Sequence, residues 1–167
     1  MGVVEARGAR VRVRRLWAVA LLLVVTGGLY YWIWYWRVNR ELREYGRAFG
    51  PPNPLEVDLR RSLLAVTLGG LVLVPAAVSV GRTFERITRA ERLSGAARPL
   101  SAGAGLALFV VALALSLVAT PIVLDVVPIS PHVGTALSVV ALLLLGAKLA
   151  YTQHHVNEIW RREHARA

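Results

Sequence analysis

The residue types able to do chemistry in this chain are few, and each lies beside a long apolar run. His154, His155 and Glu158 sit three and four residues apart, so a helix there puts them on roughly one face. Zinc uses His with carboxylate, but a site needs about three protein ligands and a second shell. The other two histidines, His132 and His164, have no fixed relation to this group. We read it as a solvated segment, with no metal and no cofactor expected. The densest feature is Tyr30-Tyr31-Trp32-Ile33-Trp34-Tyr35-Trp36, six aromatics in seven residues. Tyr and Trp favour a bilayer interface because one end is apolar and the other hydrogen-bonds water. The run therefore reads as an interfacial anchor. The alternative is an aromatic surface for a lipid headgroup or a cationic ligand.

At 100° per residue, Tyr30, Trp34, Arg37, Glu41 and Tyr45 share a helix face, with Arg37 placed to pair with Glu41 and Arg40 with Glu44. We take Tyr30, Trp34, Arg37 and Glu41 as candidate lipid or partner contacts. The sequence has no Ser–His–Asp arrangement with a supporting motif, no glycine-rich phosphate loop and no paired-carboxylate constellation. Zero cysteines exclude disulfides, iron–sulfur clusters and thiolate zinc sites.

The elements that position these residues follow from hydropathy. The chain has 167 residues, is 56% hydrophobic and only 18% charged, and has a mean hydropathy of +0.52. Such a composition excludes disorder and is unlike that of an ordinary soluble domain. Four apolar runs stand out: 16–36, 62–80, 104–124 and 134–151. Each has the ~20 residues that cross ~30 Å of hydrocarbon as a helix. The expected fold is an all-α integral membrane bundle of four transmembrane helices, covering 16–151. A basic cytoplasmic leader (1–15) precedes it and a basic cytoplasmic tail (152–167) follows. The first run continues through LYYWIWYW, which makes it a retained helix and not a cleaved signal core.

Charge sets the expected orientation. The leader carries five arginines, 37–61 six, 81–103 five, the link 125–133 none and the tail three. Four spans put leader, second loop and tail on the cytoplasmic side, with the six of 37–61 opposite as a partial violation. Laid out this way, the net charge of +10 marks orientation and contact with anionic headgroups, and it does not point to nucleic acid. The segments 37–48 and 82–93 read as basic amphipathic extensions of the first two spans, lying in the headgroup layer.

Packing between spans in lipid uses small residues at four-residue spacing. Gly69 in the second run, Ala112, Ser116 and Thr120 in the third, and Ser138 and Gly146 in the fourth are the candidate helix-packing residues. They make a compact bundle or a homo-oligomer face. Pro75 and Pro121 are expected to kink their helices.

The segment TGGLYYWIWYWRVNREL resembles the signature of a bacterial membrane family, domain of unknown function 4234. Its pattern falls here on Gly28, Tyr30, Trp34, Arg37, Asn39, Glu41 and Leu42. TLGGLVLVP with GRTFERI, and YTQHHVNEIW, are also similar to that family. The resemblance implies a small multi-pass protein of the bacterial inner membrane without an established activity. It adds Asn39 to the candidate contacts. Thr26-Gly27-Gly28-Leu29 recurs loosely as Thr67-Leu68-Gly69-Gly70-Leu71, each before a basic helical stretch, which suggests a duplicated hairpin. The expected function is a non-enzymatic scaffold or accessory subunit of a larger membrane complex. The alternative is a small transporter or lipid-handling protein.

Overall fold

A computed structural model describes residues 2–68, 74–96 and 99–166. The described residues form a β hairpin, β1 (Gly2–Ala6) and β2 (Ala9–Val13), followed by six helices: α1 (Leu16–Val25), α2 (Tyr30–Arg47), α3 (Leu59–Thr67), α4 (Val74–Leu93), α5 (Ala102–Val123) and α6 (Pro131–His164). The protein is thus mostly helical, as its composition leads one to expect.

The first fifteen residues depart from the expected leader. Ala6 pairs with Ala9, leaving Arg7-Gly8 as a two-residue loop with φ of 49° and 81°. Two positive φ values are what a type I′ hairpin turn demands. Along β2, buried Ala9 and Val11 alternate with exposed Arg10 and Arg12. A charge count hides this period of two, which seats one face of the hairpin on α6 and leaves arginines on the other.

The run 16–36 is divided between two helices. Gly27 and Gly28 adopt φ of 57° and 95°, and the Gly28 amide donates to the Leu23 carbonyl at 2.8 Å, the closing bond of a Schellman C-cap. The chain then folds back. Arg14 and Glu41, 27 residues apart, are hydrogen-bonded, whereas one continuous helix would separate them by about 40 Å. The run 62–80 folds likewise. Ser62 and Ser79 bring their Oγ atoms within 3.0 Å although 17 residues separate them, a distance of about 25 Å on a straight helix. Asp58 caps α3 by accepting from the amides of Arg60 and Arg61. The described part of α4 begins at Val74, one residue before Pro75. Gly69 and Gly70 lie between α3 and α4, outside the described residues. In both hairpins a Gly-Gly pair falls between the two helices.

Two helices, α5 and α6, are long and apolar enough to cross a membrane. In their most apolar 18-residue windows only 22% and 28% of residues are buried, so most of this apolar surface faces outward. They run antiparallel, and Gly134 packs against Ile122 and Val123 at the far end. Pro121 lies in the last turns of α5. At 34 residues α6 is about 51 Å long and overhangs the start of α5.

The hairpins α1/α2 and α3/α4 pack on one half of this pair. Leu23 reaches Gly146, and Gly27 and Gly28 share a cavity of about 350 Å³ with Ala112. Ala112 is the midpoint of α5, about 15 Å from either end. Every described arginine consequently lies at the end holding both termini. The far link, Leu124–Ser130, contains no basic residue.

The stretches 37–48 and 82–93 are helical, but they do not lie apart from the bundle. Val38, Leu42, Tyr45, Phe84, Ile87 and Ala90 are buried, and Tyr45 meets Trp160 edge-on, with ring centroids 5.4 Å apart. The overhang of α6 gives them a partner, so their apolar faces close a protein core.

Candidate functional site

Helix α2 carries most of the candidate residues and stands between the β hairpin, α4 and α6. Its period splits the aromatic run. Tyr30, Tyr31, Trp34 and Tyr35 turn inward and are buried, while Trp32 and Ile33 are exposed. Trp34 donates through Nε1 to Gln153 Oε1 at 2.7 Å. Gln153 in turn donates to Asn157 Oδ1 at 2.8 Å. Asn157 clamps the backbone of Arg14, accepting from its amide at 3.1 Å and donating to its carbonyl at 2.7 Å. The Arg14 side chain grips Glu41 in a two-pronged contact, Nη1 to Oε2 at 3.1 Å and Nη2 to Oε1. Both residues are buried. Burial pushes the Glu41 carboxyl up, and the Arg14 guanidinium pulls the other way.

A second network joins the two hairpins. The Tyr35 hydroxyl meets Ser62 Oγ at 2.7 Å and Ser79 Oγ at 2.9 Å, and accepts from Thr83 at 3.0 Å. Asn39 donates to the Tyr35 carbonyl at 3.0 Å and accepts from Arg86 Nη1 at 2.6 Å. Burial lowers the Arg86 pKa. Further along, Lys148 is buried among Tyr31, Trp34, Phe84 and Phe109. Close approach of α4 to α5 here needs Gly105, since a Cβ would stand 2.5 Å from the Phe84 ring.

Several expectations are corrected by this geometry. Trp34, Asn39 and Glu41 are buried, so they cannot be surface contacts for lipid or partner. Arg37 does not pair with Glu41, because Arg14 holds that carboxylate; Arg40 does pair with Glu44, at 3.3 Å. Arg37 reaches a cleft, with Tyr30 at its inner edge and the Arg14-bound Glu41 in its wall. His154, His155 and Glu158 do not converge. His155 Nδ1 meets Glu91 Oε1 at 2.6 Å, and Glu158 accepts from Arg161 at 2.8 Å. Glu91 also accepts from the Leu100 amide at 2.5 Å, tying the loop before α5 to α4.

The packing residues divide. Gly146 and Ala112 are buried, with Gly146 against Leu23. Ser116, Thr120 and Ser138 line the cavity below the Gly27-Gly28 turn and do not make a closed helix contact. The hydroxyls of Ser116 and Thr120 bond back to the carbonyls of Ala112 and Ser116 at 2.9 and 2.8 Å. Gly69 lies outside the described residues.

Outside α2 lies a cleft that the charge count did not single out. It has a volume of about 480 Å³, and its polar lining is Arg10 and Arg12 of β2, Arg14, and Arg37, Arg40 and Glu41 of α2. A neck of about 230 Å³, shared through Arg12, Arg14 and Arg37, continues to Leu22 and Tyr30. The signal for it is the alternation that makes β2 a strand.

No family model, curated protein or solved structure matches the chain.

Proposed function

We propose that this is a non-enzymatic structural protein of a bacterial inner membrane. In this reading α5 and α6 cross the bilayer, and the two shorter hairpins enter one leaflet from the cytoplasmic side. The four spans expected from hydropathy become two spans and two half-depth insertions. The observation that carries the reading is the contact of Leu23 with Gly146, about 18 Å along α6 from the far-end Gly134, just before the chain turns back at Gly27-Gly28. Three further features support it. Trp17, Leu21, Val25, Leu64, Leu68 and Val78 are exposed on the hairpins, where only lipid would welcome them. The arginines of 37–61 fall on the same side as the rest, which removes the violation of the positive-inside rule. The hydroxyls of Tyr35, Ser62, Ser79 and Thr83 bond to one another, which favours packing over a transport pathway.

Four extra helices, each about 10 Å across, would then widen one leaflet and not the other. A scaffold of this shape favours curved membrane. The chain has no cysteine, so single cysteines report cleanly. In sealed vesicles, Glu56→Cys should react with an impermeant thiol reagent from the side of the C-terminus, and Val126→Cys from the opposite side. Reaction of Glu56→Cys from the Val126 side restores four full spans and defeats the reading. Reconstitution into large liposomes should also yield narrower vesicles or tubules as protein is added. Unchanged vesicle diameters would remove the scaffold function.

A further inference from the structure

We propose that the cleft between β2 and α2 holds one anionic phospholipid. Its phosphate would lie between Arg12 and Arg37, with Arg10 and the Glu44-paired Arg40 at the rim, and its glycerol and first acyl carbons along Leu22 and Tyr30. The proposal rests on the membrane reading above.

Charge comes first. Arg10, Arg12 and Arg37 have no carboxylate within ion-pair distance among the described residues, although Glu5 stands opposite Arg10 in the hairpin register. The one acid in the cleft wall, Glu41, is committed to Arg14. Guanidinium groups match a phosphate because their planar donors meet two oxygens at once. A comparable cleft beside α4 lacks this bias, because Arg82, Arg86 and Arg89 there face Glu56, Asp58 and Glu85. The arginine excess therefore belongs to the β hairpin side and is not a general property of the basic end.

Shape supplies the second part. A site for a soluble anion needs only the basic cleft. This one opens through the shared arginines into a neck lined by Leu22 and Tyr30. Leu22 is 38% exposed and adjoins Leu21, Val25 and Leu29, all exposed on the same short hairpin. Basic and apolar surfaces are thus continuous in the order of a phospholipid, headgroup outward and chains inward. The alternating pattern Arg10-Val11-Arg12 lets a strand hold the headgroup while its other face packs on α6.

The test is native mass spectrometry of the full chain in mild detergent, titrated with phosphatidylglycerol or phosphatidylcholine. Arg12→Gln/Arg37→Gln is compared with Arg47→Gln/Arg60→Gln, two exposed arginines at the same end that line neither cleft nor neck. The wild type and the control pair should retain one phosphatidylglycerol, in preference to phosphatidylcholine. The cleft pair should bind it at least tenfold more weakly with an unchanged melting temperature. Equal retention by both pairs, or equal loss, overturns the site and leaves the membrane reading standing. Equal binding of phosphatidylcholine overturns the choice of an anionic lipid, and competition by glycerol 3-phosphate at the same concentration overturns a lipid occupant. Wild-type protein that fails to enter vesicles overturns both proposals.

Discussion

Lys148 and Tyr31, 117 residues apart in the chain, meet in the core, where the ammonium donates to the phenol oxygen at 3.0 Å. The same nitrogen lies 4.5 Å from the Tyr31 ring centroid and 5.2 to 5.4 Å from those of Trp34, Phe84 and Phe109. No carboxylate is bonded to it among the described residues. Four aromatic rings and one hydroxyl surround this amine in place of a counter-ion, an arrangement that suits its charged form.

A buried charge of this kind contributes less than its contacts suggest, because its desolvation opposes them. Lys148→Met keeps the volume and removes the charge. It should leave thermal stability in mild detergent unchanged, or raise it by about 1–3 kcal/mol. Lys148→Ala leaves a cavity beside the rings and should cost about 2–4 kcal/mol. A melting temperature lowered equally by both would mean that the cation itself holds α6 to α2.

Arg14 and Glu41 call for a double-mutant cycle. Arg14→Met or Glu41→Leu alone leaves one buried charge without its partner and should cost about 3–5 kcal/mol. The double variant should recover most of that loss. Additive losses would show that the two side chains act separately.

Glycine at two positions is set by geometry. A Cβ on Gly46 would stand 2.1 Å from Asn53 Oδ1 and 2.8 Å from Leu55 Cβ, so Gly46→Ala should cost about 1–3 kcal/mol. At Gly28 space is open but φ is 95°. Gly28→Ala should cost about 1–2 kcal/mol through backbone strain alone. Denaturation midpoints of the two variants measure this directly.

Tyr45 contributes to the alkaline limit. Its buried hydroxyl has no hydrogen-bond partner among the described residues. Burial first, and then the Glu163 carboxylate, push its pKa well above 10. The folded chain keeps this proton while the unfolded chain releases it, so stability is intact below the unfolded pKa and falls as pH rises beyond about 10. Tyr45→Phe should make that slope shallower and cost little at neutral pH. An identical alkaline decline in the variant would assign it to another group.

The apolar runs identify the helical material correctly, because burial in lipid or protein selects the same residues. They do not separate a span from a hairpin that turns halfway. The difference resides in Gly27-Gly28, two residues whose positive φ ends α1, and in the Ser62–Ser79 contact, which no hydropathy window registers. The surplus of arginine in 37–61 was the readable clue. The motif running from Gly28 to Leu42 pointed to residues that matter, yet their work is architectural: a turn at Gly28, and buried bonds from Trp34, Asn39 and Glu41. Of their partners, Gln153 and Arg86 fall within the similar segments YTQHHVNEIW and GRTFERI and Arg14 does not, but no pattern assigns any of them to its partner, since each contact joins elements distant in the chain. Arg10 and Arg12 were legible as charge, but only strand alternation assigns them to one wall of a cleft.

The order in which the chain leaves the ribosome meets this architecture awkwardly. Helices α1 and α3 have 10 and 9 residues, about half a bilayer crossing each. Helix α1 docks on α6, which is made last, and so do its neighbours: Arg14 waits for Asn157, Trp34 for Gln153 and Tyr31 for Lys148, while α3 packs on α2 and α4. These contacts of the amino-terminal half cannot form until the final helix has been made. Under the proposed membrane reading the carboxyl-terminal helix completes the fold, and a ribosome stalled near residue 130 should expose a nascent chain open to proteolysis from Arg7 to Arg92.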